Sequence, residues 1–152
     1  MPGVVKHGWT HRPRLEGGTD PLPPRGLYEI KVFADRDALD GNLPDTAIVV
    51  STGDGKFVFW IPEDLDHTEL VSVAAGVSVA GAVTVQVRNV TQAFDFLSTA
   101  VTIDSGDLTS YAATTPPVIT ADQPVAKGDL IAIDVDAADG TAEGLGVILE
   151  FA

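Results

Sequence analysis

His7, His11 and His67 are the three imidazoles of a 152-residue chain that contains no cysteine, so any metal centre here would rest on nitrogen and oxygen donors. His7 and His11 stand four residues apart, a spacing that pairs two ligands on one face of a helix. Gly8 and Pro13 oppose a helix there, and neither an HExxH pattern nor a carboxylate cluster accompanies the pair. Solvent-facing or interface histidines are expected, and no metal. Asp134-Val-Asp-Ala-Ala-Asp-Gly140 has acidic spacing like the start of a calcium loop. Such a loop would need an oxygen donor at Ala138, glycine at Asp139 and a bidentate acid at Leu145. All three positions carry the wrong residue, and the stretch reads as a strand ending in an Asp-Gly turn.

The nucleophile candidates are equally thin. Ser105 and Ser110 lack the GxSxG setting of a hydrolase elbow, and no glycine-rich strand-to-helix loop is present to cradle phosphate. Acids are plentiful, but nothing singles out two as a glycosidase pair. Asn89-Val90-Thr91 matches the N-glycosylation sequon and reads as a chance match on a strand. Trp9, Trp60, Tyr28 and Tyr111 are too scattered to define a sugar-binding platform; strand aromatics are core or interface residues by default. The expectation is a protein that is not an enzyme and carries no cofactor.

The elements that position these residues are strands and turns. Val, Ala, Ile and Leu supply most of the 45% hydrophobic content, with 15 Gly and 10 Pro as punctuation, a mixture suited to an all-β fold. Val71, Val73, Ala75, Val77 and Val79 alternate with Ser72, Ala74, Gly76 and Ser78. After Ala80-Gly81, Val83, Val85 and Val87 alternate with Thr84, Gln86 and Arg88. Period-two alternation predicts half-buried strands, and the short break predicts a hairpin between them. Further strands are expected at 27–34, 46–52, 56–61, 92–99, 100–103 and 129–136, with a last one whose core face is Leu145, Val147, Leu149 and Phe151. Phe57, Phe59 and Ile61 share a face. Gly53-Asp54-Gly55 is expected to be a tight hairpin connection, and 108–119 an irregular crossing with room for a helical turn.

Residues 1–26 differ in kind. Pro2, Pro13, Pro21, Pro23 and Pro24, with five glycines, rule out a long helix or a central strand. This is an extended arm that could reach about 85 Å at roughly 3.3 Å per residue. Val4, Val5, Trp9 and Leu15 are its apolar anchors. The net charge of −13 is also uneven: residues 1–36 carry six cations against four acids, and residues 37–152 carry three against eighteen. The body would repel nucleic acid and anionic membranes, while a basic arm suits an acidic neighbour. No apolar run is long enough to cross a membrane, and the first residues lack the apolar core of a secretion signal.

Several runs share a pattern of strand ends and turns: Phe59-Trp-Ile-Pro-Glu-Asp-Leu-Asp66, Val85-Gln-Val-Arg-Asn-Val-Thr91, Phe96-Leu-Ser-Thr99, Thr102-Ile-Asp104, Lys127-Gly-Asp129, Ile133-Asp-Val-Asp136 and Gly144-Leu-Gly-Val-Ile-Leu149. Together, over about residues 27–152, they resemble a β-sandwich module of tailed-bacteriophage virion structural proteins. The resemblance implies oligomerisation, commonly as trimers, and a role in adhesion or capsid decoration. It carries over no site residues.

The expectation is therefore an all-β, jelly-roll-like antiparallel sandwich at 27–152 with an N-terminal arm at 1–26. Its expected role is that of a non-enzymatic decoration protein on the outer capsid surface, made in the host cytoplasm. Its partners would be the major capsid protein and itself, as a homotrimer. Trp9, Arg12, Arg14 and Arg25 are the expected arm contacts, one large apolar anchor and three charges able to grip carboxylates bidentately. The alternative is a host-recognition or carbohydrate-binding module. A tail-fibre tip follows a shaft of collagen-like or coiled-coil repeats, which this chain lacks, so decoration is the leading expectation.

Overall fold

The structure, a computed structural model, describes residues 26–28 and 49–152. The arm residues Trp9, Arg12, Arg14 and Arg25 lie outside the described residues, as does most of the strand expected at 27–34. The described residues form ten strands: β1 (Gly26–Tyr28), β2 (Gly53–Trp60), β3 (Leu70–Gly76), β4 (Val83–Asn89), β5 (Phe94–Asp95), β6 (Leu97–Thr99), β7 (Val101–Ile103), β8 (Val118–Ile119), β9 (Leu130–Ala138) and β10 (Gly146–Phe151). Among the described residues helix is confined to two single 3-10 turns, Glu63–Leu65 and Ser110–Ala112.

The fold is an all-β sandwich. One antiparallel sheet runs β1-β10-β3, and the other runs β2-β9-β4, with β5 and β7 both paired to the far edge of β4. β6 and β8 form a small separate ladder. The core lies between the two sheets because the strands alternate. Val83, Val85 and Val87 are buried while Thr84, Gln86 and Arg88 are half-buried, and Val147, Leu149 and Phe151 point inward from β10. A side-chain period of two puts every second residue on the same face. Phe96 closes this core edge-on against Phe94 at 4.9 Å and Phe151 at 6.4 Å, and burying such a ring contributes about 2–3 kcal/mol. On β9, Ala132 and Asp134 are buried as well as Ile131, Ile133 and Val135. This strand is flanked on both sides, by β2 and β4.

The structure departs from the sequence expectations in five places. β3 and β4 are not a hairpin: β3 pairs with β10 and β4 with β9, so residues 77–82 carry the chain from one sheet to the other. Alternation reports which face is buried, not which strand is the neighbour. Within β3, the register with β10 shifts between Glu150 and Phe151, so that Leu70 faces Phe151. The buried position therefore moves to Leu70, and Val71 is left exposed; Val79, beyond the strand end, is exposed too.

Gly53-Asp54-Gly55 is not a hairpin tip but the irregular start of β2. Gly53 pairs with Val135 and Phe57 with Ile133, so four steps along β2 match two along β9, and Gly55 absorbs the bulge at φ 59°. Of the strand expected at 46–52, only the end is described, and it makes a single bridge from Val49 to Glu143. The strand expected at 92–99 breaks at Phe96, whose N–H still donates to Val87 while its carbonyl accepts from Thr120. There the chain leaves β4 for β8. The expected irregular crossing at 108–119 holds, with the 3-10 turn Ser110–Ala112 inside it.

Candidate functional surface

Most residues with chemical potential serve the fold. His67 is exposed, in a left-handed conformation at φ 65°, with Nε2 3.4 Å from the Asp66 carboxylate. Among the described residues no three His, Asp or Glu side chains are grouped to hold a metal ion. Ser110 is buried, and its Oγ accepts the Ala75 N–H at 3.0 Å, which fastens the 3-10 turn to β3. Asn89 of the sequon is fully buried, and its Nδ2 donates to Asp129 Oδ2 at 2.8 Å. The same carboxylate accepts the Ala126 N–H at 2.8 Å and the Gln92 amide. Burial alone would raise the Asp129 pKa, but these donors together hold it below the ordinary carboxylate range. Asn89 and Asp129 thus lock the end of β4 to the turn before β9.

The acids of the Asp134–Gly140 stretch also have structural partners. Asp139 Oδ2 accepts the Ala82 N–H at 2.7 Å, and its Oδ1 accepts the N–H and hydroxyl of Thr141, each at 2.8 Å. These backbone and side-chain donors lower its pKa to about 2. The carboxylate therefore clamps the β3–β4 crossing to the β9–β10 turn. A shallow cleft of about 380 Å³ lies beside this clamp, lined by Ala82, Thr84, Thr102, Asp104 and Asp139 among others. Asp104 accepts the N–H and hydroxyl of Thr114 at 2.8 and 2.7 Å and is likewise held below its usual range. Both carboxylates of the cleft are fixed as anions by local donors, an arrangement that suits turn capping and leaves neither as a proton donor near neutral pH.

The outer face of the β2-β9-β4 sheet is different. Trp60 is 67% exposed and stands opposite Leu130 in the ladder, with Val58 two residues back on the same strand face and also exposed. Val90, exposed as well, donates its N–H to the Leu130 carbonyl. This is an apolar margin at one end of the sheet. Toward the other end, Arg88 grips Asp134 through Nε at 2.8 Å and Nη2 at 3.2 Å, and the Gly55 N–H also donates to Asp134. Burial would raise the Asp134 pKa, but the guanidinium and the Gly55 amide more than offset it. Asp54 and Asp95 act on both Arg88 and Asp136, and the Asp136 carboxyl is raised by burial first and then by Asp134, Asp54 and Asp95. Three acids, Asp54, Asp95 and Asp134, thus act on one guanidinium on this face, with Asp136 beside them and the apolar margin next to it. β2 is the rim of the sheet: among the described residues no strand pairs with its outer edge.

The four arm residues singled out from sequence lie outside the described residues, so the structure brings none of them to this face. Sequence reasoning took Trp60 only as one of four scattered aromatics, core or interface by default, and did not single it out. The signal was present, because placing Phe57, Phe59 and Ile61 on one face assigns Val58 and Trp60 to the other. Tyr111, at 80% exposed, lies with exposed Leu108 around the second 3-10 turn. No known protein family, curated protein or solved structure matches this chain.

Proposed function

We propose that this chain is a non-enzymatic structural protein of a tailed-phage virion, a decoration protein that clusters as a trimer on the outer capsid surface and contacts the major capsid protein. The observation that carries an interaction role is the outer sheet face: a large indole held out in water on a rigid strand, with acids at its flank. Exposed aromatic and aliphatic residues rimmed by charge have the composition of protein–protein interfaces. The virion assignment rests on the resemblance of residues 27–152 to phage sandwich modules. The basic arm then supplies extra contacts, so that several weak attachments act as one.

The test is removal of residues 1–25, which retains Gly26 because it pairs with Phe151 in β1. The shortened protein is expected to fold and to lose capsid occupancy in a co-sedimentation assay with intact shells. Undiminished occupancy refutes the decoration role. A carbohydrate-binding adhesin is the second reading, favoured by the same exposed Trp60, since an indole face also stacks on apolar sugar faces. Saturable, Trp60-dependent binding on a glycan array would establish that reading instead.

A further inference from the structure

Trp60 and Val58 need an occupant, and the chain's own charge distribution identifies one. On the outer face of the β2-β9-β4 sheet, apolar and acidic residues are segregated. Val58, Trp60, Leu130 and Val90 form one end, while Asp54, next to the Gly53–Val135 pair, and Asp136, just past it, lie toward the other, and Asp95 stands opposite Arg88 on the rung of Val58 and Ala132. Asp134 is gripped by Arg88, Asp95 stands opposite that arginine, and Asp54 and Asp136 lie nearby, so the acids here outnumber Arg88 and the exposed Lys56 of β2. The face therefore asks for an extended segment that is apolar first and cationic afterwards. Residues 4–14 read Val4-Val-Lys-His-Gly-Trp9-Thr-His-Arg-Pro-Arg14, apolar residues leading and Arg12 and Arg14 following. Trp60 to the Gly53–Val135 pair spans five rungs of β9, about 16 Å at roughly 3.3 Å per residue, and Trp9 to Arg14 spans about as much when extended.

We infer that this face is the docking site for the N-terminal arm of a second copy of the chain, with the arm's apolar residues against Val58 and Trp60 and its arginines against the acidic end. This rests on the self-association in the proposed function and names the surface that performs it. The occupant is taken as the arm of a second copy because the proposed function requires self-association. The arm enters the body at β1, which belongs to the β1-β10-β3 sheet, and the docking face belongs to the other sheet. When the arm of one copy seats on the face of the next, the contact is head-to-tail, and repeating such a contact with rotation closes a ring such as a trimer. Charge complementarity sets the sign: residues 1–25 carry four cations against two acids, while the body is strongly acidic.

The experiment is sedimentation velocity of the full-length protein across concentration and salt. It compares wild type, Trp60→Ser, Asp54→Lys with Asp95→Lys, Arg12→Glu with Arg14→Glu, and the four-site combination. All five substituted positions are exposed or in the arm, and circular dichroism checks that each variant folds. Wild type is expected to assemble, more weakly as salt rises. Trp60→Ser and each charge reversal should weaken assembly at least tenfold, and the combination should recover most of the loss because the charges again oppose. A monomeric wild type, or assembly unaltered by Trp60→Ser and by both reversals, overturns the inference. So does failure of the combined variant to recover. Assembly that follows these expectations while capsid occupancy is unaffected by arm removal would refute the decoration role alone. Capsid binding lost on arm removal with assembly unchanged would refute this docking alone.

Discussion

Gly81→Ala should be among the most damaging single-methyl additions available to this fold. Gly81 is buried in the crossing from β3 to β4, where a Cβ would lie 2.4 Å from the Ala142 nitrogen, 2.5 Å from Thr141 Oγ1 and 2.8 Å from Ala142 Cα. Two of those three atoms are backbone, so rotating a side chain away cannot relieve the contact. The crossing or the β9–β10 turn must move. Movement stretches the Asp139 clamp, in which the Ala82 N–H donates at 2.7 Å and the Asp139 N–H donates to Ala82 O at 3.0 Å. Overpacking costs about 1–3 kcal/mol, and weakening two hydrogen bonds adds about 1 kcal/mol, for a loss of about 2–4 kcal/mol. At about 2–4 °C per kcal/mol for a domain of this size, the midpoint should fall by roughly 5–15 °C. Gly140→Ala is the matched control. It sits at φ 81° in the same turn with open space around its Cβ position, so only backbone strain of about 1 kcal/mol applies. Urea titration monitored by tryptophan fluorescence, alongside calorimetry, measures both. A Gly81→Ala loss below about 0.5 kcal/mol, or one equal to Gly140→Ala, would show that the two connections are not rigidly interlocked.

Three further outcomes are expected. Arg88→Met should cost about 2 kcal/mol in urea unfolding, because it strands the buried Asp134 carboxylate with only the Gly55 amide; a neutral result would mean that water already reaches Asp134. Lowering pH should reduce stability from about pH 5 downward. The carboxyls of Asp104, Asp129, Asp134 and Asp139 lie below their ordinary range. Their contribution is present above the unfolded pKa and lost as pH falls through each folded value, Asp139 last at about 2. Asp136 is raised and has the opposite sign, so its contribution is present in acid and lost as pH rises; a urea midpoint unchanged between pH 7 and 2.5 would refute the balance. Finally, Asn89→Ala should cost about 2 kcal/mol in urea unfolding, because it removes a buried donor from the Asp129 carboxylate; a neutral result would mean that Gln92 and the Ala126 amide suffice to hold it.

What the sequence could show follows from what alternation physically encodes. The inward sides of β4 and β10 were legible because Val83, Val85, Val87, Leu145, Val147, Leu149 and Phe151 repeat with the period of the pleat. Partners were not legible. Val73 and Val85 lie on strands joined by six residues, yet each ladder is completed from the other end of the chain, by β10 and β9. Nothing in a two-residue period reports a contact made some 50 or 75 residues away. Bulges defeat the period locally, as when the shift at Glu150/Phe151 turns Val71 outward and Leu70 inward.

The candidate surface divides along the same line. That Trp60 opposes Phe57, Phe59 and Ile61 is parity, readable from four residues. That its face is bare at the Trp60 end and closed over Ala132 and Asp134 depends on Arg88 reaching across from β4 and Gly55 from the β2 bulge. The two requirements are linked: the bulge that hides Gly53-Asp54-Gly55 from a hairpin reading aims the Gly55 amide at Asp134, and so leaves Asp54 beside the acidic end of the face. A sequence whose local pattern disagrees with its fold at one bulge has, at that same bulge, assembled the charged half of its best interaction surface.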